Sequence, residues 1–331
     1  MKKPIFILAP MDDVTDTVFR QIVASCTNPD LFFTEFVNVD GLQSPGRPAL
    51  MPKITKKGEK YPIVAQIWGK KPENFAKTAD ELVEMGFAGV DINFGCPVKT
   101  VVKNSCCSAM ILPDNRDTAV EIIRAVQKAV DRRVPVSVKT RLGVKEIDLS
   151  WIELLLKQKL NMLTVHARTV KEMSKAPPHW EVFEEIIAMR NKLSPDTLIV
   201  GNGDILTRAE GLKLAKELKL DGVMIGRGIF HDPYLFAGDK SPWATMTKQQ
   251  KLELFQKHVE LFAKTWKNRE RRFETLKKFV KIYVNGFDDA SELRDKVMHC
   301  DTPAELIKLI TTAIDTNTAT DAVDYIVAIK S

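Results

Sequence analysis

Short apolar runs alternate regularly with segments of helical periodicity, and this alternation most restricts how the chain folds. Several runs are apolar throughout, which is typical of parallel strands buried on both faces. Residues 73–85 and 117–130 each place apolar side chains on one helical face, and Thr207 is a candidate N-cap for a further helix. The predicted strands are residues 5–10, 31–36, 63–68, 89–94, 134–139, 162–166, 197–200 and 222–225.

Eight strands within roughly 230 residues predict an α/β fold of the (β/α)₈ barrel type, the TIM barrel. An open, doubly wound sheet is the alternative for the same alternation. Such a sheet usually has a glycine-rich turn after its first strand, whereas residues 9–14 here read Ala-Pro-Met-Asp-Asp-Val. The barrel is therefore favoured.

The pattern changes after residue 237. Residues 238–242 have the composition of a linker, and no strand alternation follows Thr247. We therefore predict a barrel domain over residues 1–237 and a small helical domain over residues 243–331. The predicted helical segments of the second domain are residues 251–266, 273–284, 290–297 and 302–314.

Composition excludes several classes of protein. No stretch approaches the ~18 uninterrupted apolar residues of a membrane span, and the apolar start is too short for a signal peptide. The 5 cysteines lack the spacing of a disulfide framework or a zinc site, so we expect reduced thiols, no metal and a cytoplasmic location. A net charge of +6 is by itself only a weak indication of a polyanionic partner.

In such barrels the functional groups lie at the carboxyl ends of the strands. Here every predicted strand is followed there by polar, titratable or glycine residues, which a purely structural barrel does not need. These residues are Pro10, Met11, Glu35, Gln66, Asn93, Cys96, Lys139, Arg141, His166, Arg168, Asn202, Asp204, Gly226 and Arg227.

Two glycine-containing loops, residues 201–204 and 226–228, follow the seventh and eighth strands, where such barrels often bind a phosphate. Glycine lets backbone N–H groups approach an anion, and Arg227 adds a forked cation. A single Gly-x-Gly is equally a tight turn. Two of them at the two expected positions favour a ligand with a phosphate group.

Three side chains at this end are suited to chemistry. Lys139 is placed to set positive charge beside an anionic ring or a carbonyl, although lysines also end strands merely to reach solvent. His166 alone is as consistent with a core histidine as with a functional one. Cys96, between Gly95 and Pro97, is expected to be exposed, with an ordinary pKa of about 8.5 that suits proton donation.

Eight segments occur in an order and spacing that resemble the tRNA-dihydrouridine synthase family of flavoenzymes. The most specific is Gly-Val-Asp-Ile-Asn-Phe-Gly-Cys-Pro at residues 89–97. The resemblance covers essentially the whole barrel and extends loosely into the helical tail. The other segments are residues 9–20, 34–36, 64–69, 136–143, 165–169, 201–204 and 223–228.

The resemblance implies that NADPH reduces a bound FMN, whose N5 passes hydride to C6 of a uracil in tRNA while Cys96 protonates C5. The base must be turned out of its stack to reach the barrel. The implied FMN contacts are Pro10, Met11, Gln66, Lys139, His166, Asn202, Gly203, Asp204, Gly226 and Arg227. The implied substrate contacts are Glu35, Asn93, Arg141 and Arg168 in the barrel, and Lys277, Lys278 and Lys281 in the tail.

The tail is strongly basic between residues 264 and 281, and Glu270 and Glu274 are its acidic residues. A solvated helix face is the ordinary explanation of a charge run, but this imbalance favours contacts with phosphates. No obligate protein partner is indicated. The basic residues are Lys264, Lys267, Arg269, Arg271, Arg272, Lys277, Lys278 and Lys281.

The chain departs from the family at two places. Cys106 and Cys107 stand where small residues, often glycines, are usual, and they either stiffen the loop of Cys96 or compete with it as thiols. Residues 170–179 lack the usual glycine-containing pattern, which bears on the choice of uridine.

Three other functions fit parts of the sequence. An FMN barrel dehydrogenase acting on a free pyrimidine, like dihydroorotate dehydrogenase, shares the phosphate loops but has no use for a basic tail. A phosphosugar aldolase with Lys139 as its Schiff base predicts a colourless protein. A tRNA-binding chaperone without catalysis does not need the full set of residues at the strand ends.

Overall fold

A computed structural model of the chain describes residues 4–268 and 270–315. Arg269 of the basic stretch and residues 316–331 of the predicted helical domain lie outside the described residues. The chain divides into two compact units. The first comprises the described residues up to Thr17 together with Asn28–Gly228, and the second comprises Val18–Thr27 and the described residues from Ile229 onward.

In the first unit, eight parallel strands close into a barrel in the order of the sequence, which confirms the predicted fold. All eight predicted runs are strands. The fifth begins two residues later than predicted, because Pro135 has no N–H to donate to a neighbouring strand. The strands are β1 (Ile5–Leu8), β2 (Leu31–Asn38), β3 (Ile63–Trp68), β4 (Gly89–Phe94), β5 (Val136–Arg141), β6 (Met162–His166), β7 (Leu198–Asn202) and β8 (Gly222–Ile225).

The helices follow the predicted periodicity. The first nine are α1 (Thr17–Cys26), α2 (Val39–Leu42), α3 (Arg47–Leu50), α4 (Pro72–Glu84), α5 (Lys99–Lys103), α6 (Arg116–Val130), α7 (Leu149–Leu156), α8 (Phe183–Leu193) and α9 (Arg208–Glu217). Helices α4 and α6 pack against each other through their apolar faces. Thr207 caps α9 in a reciprocal capping box with Glu210, as predicted.

Alternate residues of the strands fill the barrel in two layers. The layer nearer the amino ends is apolar and includes Ile5, Leu31, Val64, Met162 and Val200. Further along the same strands, at the same two-residue period, the inward positions become polar. These polar positions are Gln66, Asp91, Asn93, Ser137, Lys139, Arg141, His166 and Asn202.

The second unit is helical in its described part. It contains most of α1 and then α10 (Lys248–Thr265), α11 (Glu274–Lys277), α12 (Val280–Tyr283), α13 (Ala290–His299) and α14 (303–315). The single helix predicted over residues 273–284 is wrong, since α11 and α12 are separate. Between α11 and α12 the backbone turns with hydrogen bonds between residues three apart. The backbone N–H of Phe279 donates to the carbonyl of Leu276 at 3.1 Å, and the ring of Phe279 stacks on Phe19 with 4.8 Å between centroids.

Among the described residues, no helix combines the length and the apolar character that crossing a bilayer requires.

Candidate active site at the carboxyl end of the barrel

The barrel brings Lys139, His166 and Asn202 together on β5, β6 and β7. Nζ of Lys139 donates to Oδ1 of Asn202 at 3.1 Å, and Nδ2 of Asn202 donates to the carbonyl of Met224 at 2.8 Å. Burial, helped by the nearby charge of Arg141, lowers the pKa of Lys139 to about 8. The ammonium is therefore mostly charged at neutral pH, but it is easily neutralised.

His166 is neutral in this setting. Burial and four surrounding cations hold its pKa far below the ordinary value of 6.5. Its ring can therefore serve as a hydrogen-bond donor or acceptor, and it adds no charge. The four cations are Lys139, Arg141, Arg168 and Arg227. Their accumulation gives this end of the barrel a positive potential that suits an anionic ligand.

Asp204 joins two arginines at the strand ends. Arg168, only 1% exposed, bonds both carboxylate oxygens of Asp204, and Arg227 donates to Oδ1 at 2.7 Å. The hydrogen bonds from Arg168 hold the pKa of Asp204 below its usual range. The side chain of Arg227 is 60% exposed, so its remaining donors face solvent. The contact of Arg227 with a phosphate stays a prediction.

Glu35 belongs to a second cluster of charged side chains, together with Asp12, Asp13 and Lys53. It is fully buried, and Oε1 accepts from the backbone N–H of Asp13 at 2.7 Å and lies 3.6 Å from Nζ of Lys53. Lys53 also pairs with Asp12. The three carboxylates come close enough to suggest a cation site, but the ammonium of Lys53 already lies among them. Nearby, the backbone N–H of Met11 donates to Oγ1 of Thr15 at 2.9 Å.

A directed chain of hydrogen bonds runs from Asp91 to the loop of Cys96. Nε2 of Gln66 donates to Oδ2 of Asp91 at 2.7 Å, and Nδ2 of Asn93 donates to Oε1 of Gln66 at 2.9 Å. Oδ1 of Asn93 then accepts from the backbone N–H groups of Gly95 at 2.9 Å and Cys96 at 3.0 Å. Asp91 thus fixes both amides and, through them, the start of the loop.

Asp91 has no exposed surface, and its other oxygen accepts from Oγ of Ser137 at 2.5 Å. Burial raises its pKa to about 6, so the carboxylate form dominates above that pH. An ionised carboxylate only accepts hydrogen bonds. Its neighbour Gln66 must therefore present N–H to it, which sets the direction of every later bond in the chain.

Cys96 is buried, with only 8% exposed, so the predicted exposure of this residue is wrong. The residues after it fold back over it, and Oγ of Ser108 donates to the carbonyl of Cys96 at 2.8 Å. The expected ordinary pKa is also wrong. A hydrogen bond from the thiol of Cys107 lowers the pKa of Cys96 to about 7, against the opposing effect of burial.

Arg141 holds the Cys96 loop from the other side. Nε donates to the carbonyl of Gly95 at 2.9 Å, and another nitrogen donates to the carbonyls of Thr169 at 3.0 Å and Met173 at 2.8 Å. These bonds tie the loop after β4 to the loop after β6. Several of the donors of Arg141 are thus engaged with backbone.

The predicted contacts in the tail lie in the second unit. Nζ of Lys277 donates to the carbonyl of Met298 at 2.9 Å and lies over the ring of Phe273. Lys278 and Lys281 are exposed. Lys277 is therefore engaged in the fold of this unit, whereas the other two lysines present their charges to solvent.

Two residues of this region were not singled out from the sequence: Lys53 and Asp91. Asp91 had a signal, because it is a charged residue at an inward position of an otherwise apolar strand, two residues before Asn93. Lys53 lies in a short 3₁₀ turn, Met51–Ile54, whose pattern predicts nothing about its partners. The sequence named Cys107 as a residue that either stiffens the Cys96 loop or competes with Cys96 as a thiol, but its effect on the pKa of Cys96 depends on how an irregular loop folds.

The model of the family described as "Dihydrouridine synthase (Dus)" matches residues 7–321. A "Probable tRNA-dihydrouridine synthase" of Staphylococcus aureus (strain Mu50 / ATCC 700699) is 45% identical over 313 residues, covering 94% of this chain and 93% of that protein. The "Probable tRNA-dihydrouridine synthase 2" of Bacillus subtilis (strain 168) is 43% identical over 313 residues, with 94% of each chain covered.

Two solved structures share the fold at low sequence identity. The 6-hydroxypseudooxynicotine amine oxidase of Pseudomonas geniculata N1 has a TM-score of 0.54 and 11% identity, with 70% of this chain and 46% of that one covered. The histamine dehydrogenase of Rhizobium sp. 4-9 has a TM-score of 0.50 and 12% identity, with 77% and 48% covered. They support the barrel alone. The family match and the two relatives, by contrast, span nearly the whole chain, and this protein belongs to the dihydrouridine synthase family.

Proposed function

We propose that this protein reduces uridines in tRNA to 5,6-dihydrouridine, with FMN as its cofactor, NADPH as the electron donor and Cys96 as the acid. The observation that carries the proposal is the presence, in one barrel mouth, of the buried thiol of Cys96 and the half-buried ammonium of Lys139. Family membership and the names of the relatives support the reaction and a flavin. Because the proposed substrate is tRNA, we also propose that the reaction takes place in the cytoplasm.

The residues present suit FMN. The four cations around His166 fit a ligand that has a phosphate and a ring able to become anionic. Gly203 has φ 155°, a conformation open to glycine, in the loop after β7 where such barrels often hold a phosphate. Lys139, Asn202 and Arg227 would hold the cofactor. When bound, the reduced cofactor supplies the hydride for C6 of the uracil.

The chain's own residues supply the rest of the reaction. Cys96 gives its proton to C5, and the electron pair of the broken S–H bond stays on its sulfur. The cation of Lys139 offsets negative charge that develops in the mouth of the barrel. Asp91, Gln66 and Asn93 hold the backbone of Cys96 in place.

An anaerobic spectrum tests the proposal against the alternatives. Protein reconstituted with FMN is expected to show flavin absorbance that NADPH bleaches. Unmodified tRNA should then restore the absorbance, whereas orotate should not. Restoration by orotate alone would favour the dehydrogenase that acts on a free pyrimidine, and a protein that stays colourless with FMN would exclude the flavin reaction.

Replacing Asp91 by Asn is expected to slow dihydrouridine formation by about 10-fold, with the KM for tRNA unchanged. Asn presents either an oxygen or an N–H to Gln66, so the chain loses its single direction and the Cys96 loop its single position. Single-turnover rates measure this effect. Asp221→Asn is the matched control, because Asp221 is another buried barrel carboxylate, bonded instead to Arg190 and to the backbone N–H of Ile199. Equal losses in both variants would contradict the role of Asp91.

The exposed lysines of the tail are expected to contribute to tRNA affinity through phosphate contacts. Lys278→Ala with Lys281→Ala should raise the Kd for tRNA and lower the slope of log Kd against log salt by about 0.7–0.9 for each lost contact. NADPH-driven reduction of the flavin should not change. Lys213→Ala with Lys216→Ala on α9 removes the same charge and is the control. An unchanged salt slope in the tail variant would argue against these contacts.

A further inference from the structure

The side chain of Ser108 lies against the backbone of Cys96, the candidate acid. Its Oγ donates to the carbonyl oxygen of Cys96 at 2.8 Å, although the two residues are 12 positions apart in the chain. Ser108 is only 1% exposed and Cys96 is 8% exposed. Because both residues are buried, loss of the Ser108 hydroxyl would leave the carbonyl without this donor and with little access to water.

The backbone of Cys96 is held on both sides of its Cα. The N–H group of Cys96 donates to Oδ1 of Asn93 at 3.0 Å, and its carbonyl accepts from Ser108. Rotation about the two soft backbone dihedrals moves one of these two groups relative to the other. With both groups bonded, the direction of the Cα–Cβ bond, and therefore the position from which the thiol extends, is fixed.

A 3₁₀ turn, Cys107–Ile111, carries the hydroxyl that bonds the Cys96 carbonyl. The start of α6 holds this turn through two side chains. Nδ2 of Asn115 donates to the carbonyl of Ala109 at 2.8 Å, and Nε of Arg116 donates to the carbonyl of Ile111 at 3.0 Å. The turn is therefore anchored on a helix outside the barrel.

Arg116 is itself fixed by the start of α7. Its Nη1 donates to Oγ of Ser150 at 2.9 Å, and its Nη2 pairs with Asp148, the N-cap of that helix. A continuous support thus runs from two outer helices to Ser108 and the carbonyl of Cys96. It is separate from the hydrogen-bond chain inside the barrel, which reaches the N–H of the same residue.

We infer that Ser108 is a positioning residue for Cys96: its hydroxyl, carried by a turn anchored on α6, holds the Cys96 carbonyl and keeps the thiol where it gives up its proton. The inference rests on the proposed function, in which Cys96 is the acid. In that step the S–H bond of Cys96 breaks, a C–H bond forms at C5 of the uracil, and the electron pair stays on sulfur. C6 takes up the hydride, and the hydroxyl of Ser108 exchanges no proton.

Ser108→Ala is expected to slow single-turnover dihydrouridine formation by about 10-fold, because a small misplacement of the acid is costly. The KM for tRNA, the FMN content and the rate of flavin reduction by NADPH should stay at wild-type values. Ser194→Ala is the matched control: it removes a buried hydroxyl before β7, at the opposite end of the barrel, where Oγ lies 2.8 Å from Oγ1 of Thr197. A wild-type rate in Ser108→Ala, or an equal loss in Ser194→Ala, would overturn the inference.

The double variant Ser108→Ala with Cys96→Ala separates positioning of the thiol from a general structural role. If Ser108 acts only through the thiol of Cys96, its removal should not slow the residual reaction of Cys96→Ala any further. A second 10-fold loss in the double variant would show that Ser108 supports the barrel mouth independently of the acid, contrary to the inference.

Alkylation of Cys96 by iodoacetamide tests the support without turnover. At a pH well above 7 the thiolate dominates, so access to the sulfur limits the rate. Ser108→Ala should raise the rate on the Cys96 peptide by about 3–10-fold, since the loop opens more often once this hydrogen bond is lost. Ser194→Ala should leave the rate unchanged.

The two kinds of failure are distinguishable. Full activity of Cys96→Ala would contradict the proposed function, whatever the alkylation rates are. An alkylation rate of Ser108→Ala equal to that of the wild type would contradict the inference, even where Cys96 is shown to be the acid.

Discussion

Cys96→Ala is expected to slow dihydrouridine formation by about 10²–10⁴-fold, the range that a positioned general acid contributes. The buried setting of Cys96, at 8% exposed, makes replacement of its proton by one from water inefficient. Its pKa of about 7 leaves a large protonated fraction near neutrality. Single-turnover mass spectrometry of tRNA nucleosides measures the rate.

Two controls separate this effect from a damaged fold. NADPH should still bleach the flavin of Cys96→Ala at close to the wild-type rate, because Cys96 acts only on the uracil. Cys106→Ala removes another buried thiol of the same loop, whose sulfur donates to the carbonyl of Asn104. It should retain turnover within about threefold. A fully active Cys96→Ala, or a large loss in Cys106→Ala alone, would assign the acid elsewhere.

Lys139→Met is expected to slow the same step by about 10²–10³-fold, as the loss of one preorganised charge in a water-excluded site does. Lys139 is half-buried, and its ammonium donates to Oδ1 of Asn202 at 3.1 Å. Methionine keeps the length of the side chain but leaves that amide oxygen without this donor. FMN binding should weaken as well, since one of the four cations near His166 is lost.

The FMN content and the single-turnover rate measure the two effects separately. Lys159→Met is the control: Lys159 precedes β6, at the opposite end of the barrel, where Nζ donates to the carbonyl of Leu193. It should change neither quantity. A Lys139→Met enzyme with full FMN content and wild-type rate would contradict the electrostatic role of Lys139.

Turnover should decline at high pH for two reasons. Cys96, with a pKa of about 7, loses the proton that it donates as the pH rises through that value. The pKa of Lys139, lowered by burial to about 8, means that its positive charge is lost as the pH rises through that value. In Lys139→Met the second decline should be absent.

The sequence predicted the barrel well because its signals are local. Strand positions such as Met162–His166 follow from apolar, β-branched runs, and the polar residues that end them follow from where the strands stop. Thr207 is similar, since a capping box is read from residues three positions apart. Where the backbone is regular, spacing alone determines which side chains meet.

The contacts that adjust the chemistry could not be predicted in this way. The low pKa of Cys96 depends on Cys107, which lies in an irregular loop with left-handed residues. Lys53 joins Glu35 from a turn distant in sequence. Phe279 lies at the break between α11 and α12, and its ring packs against Phe19, a tertiary contact that helical periodicity does not contain.

The most direct test of the central claim is the mass of the product. Anaerobic incubation of the FMN-reconstituted protein with NADPH and unmodified tRNA, followed by nucleoside mass spectrometry, should show uridine converted to a product heavier by two hydrogens. Cys96→Ala should form far less of it. Unchanged uridine, in the presence of a flavin that NADPH reduces fully, would contradict the assignment of tRNA as the substrate.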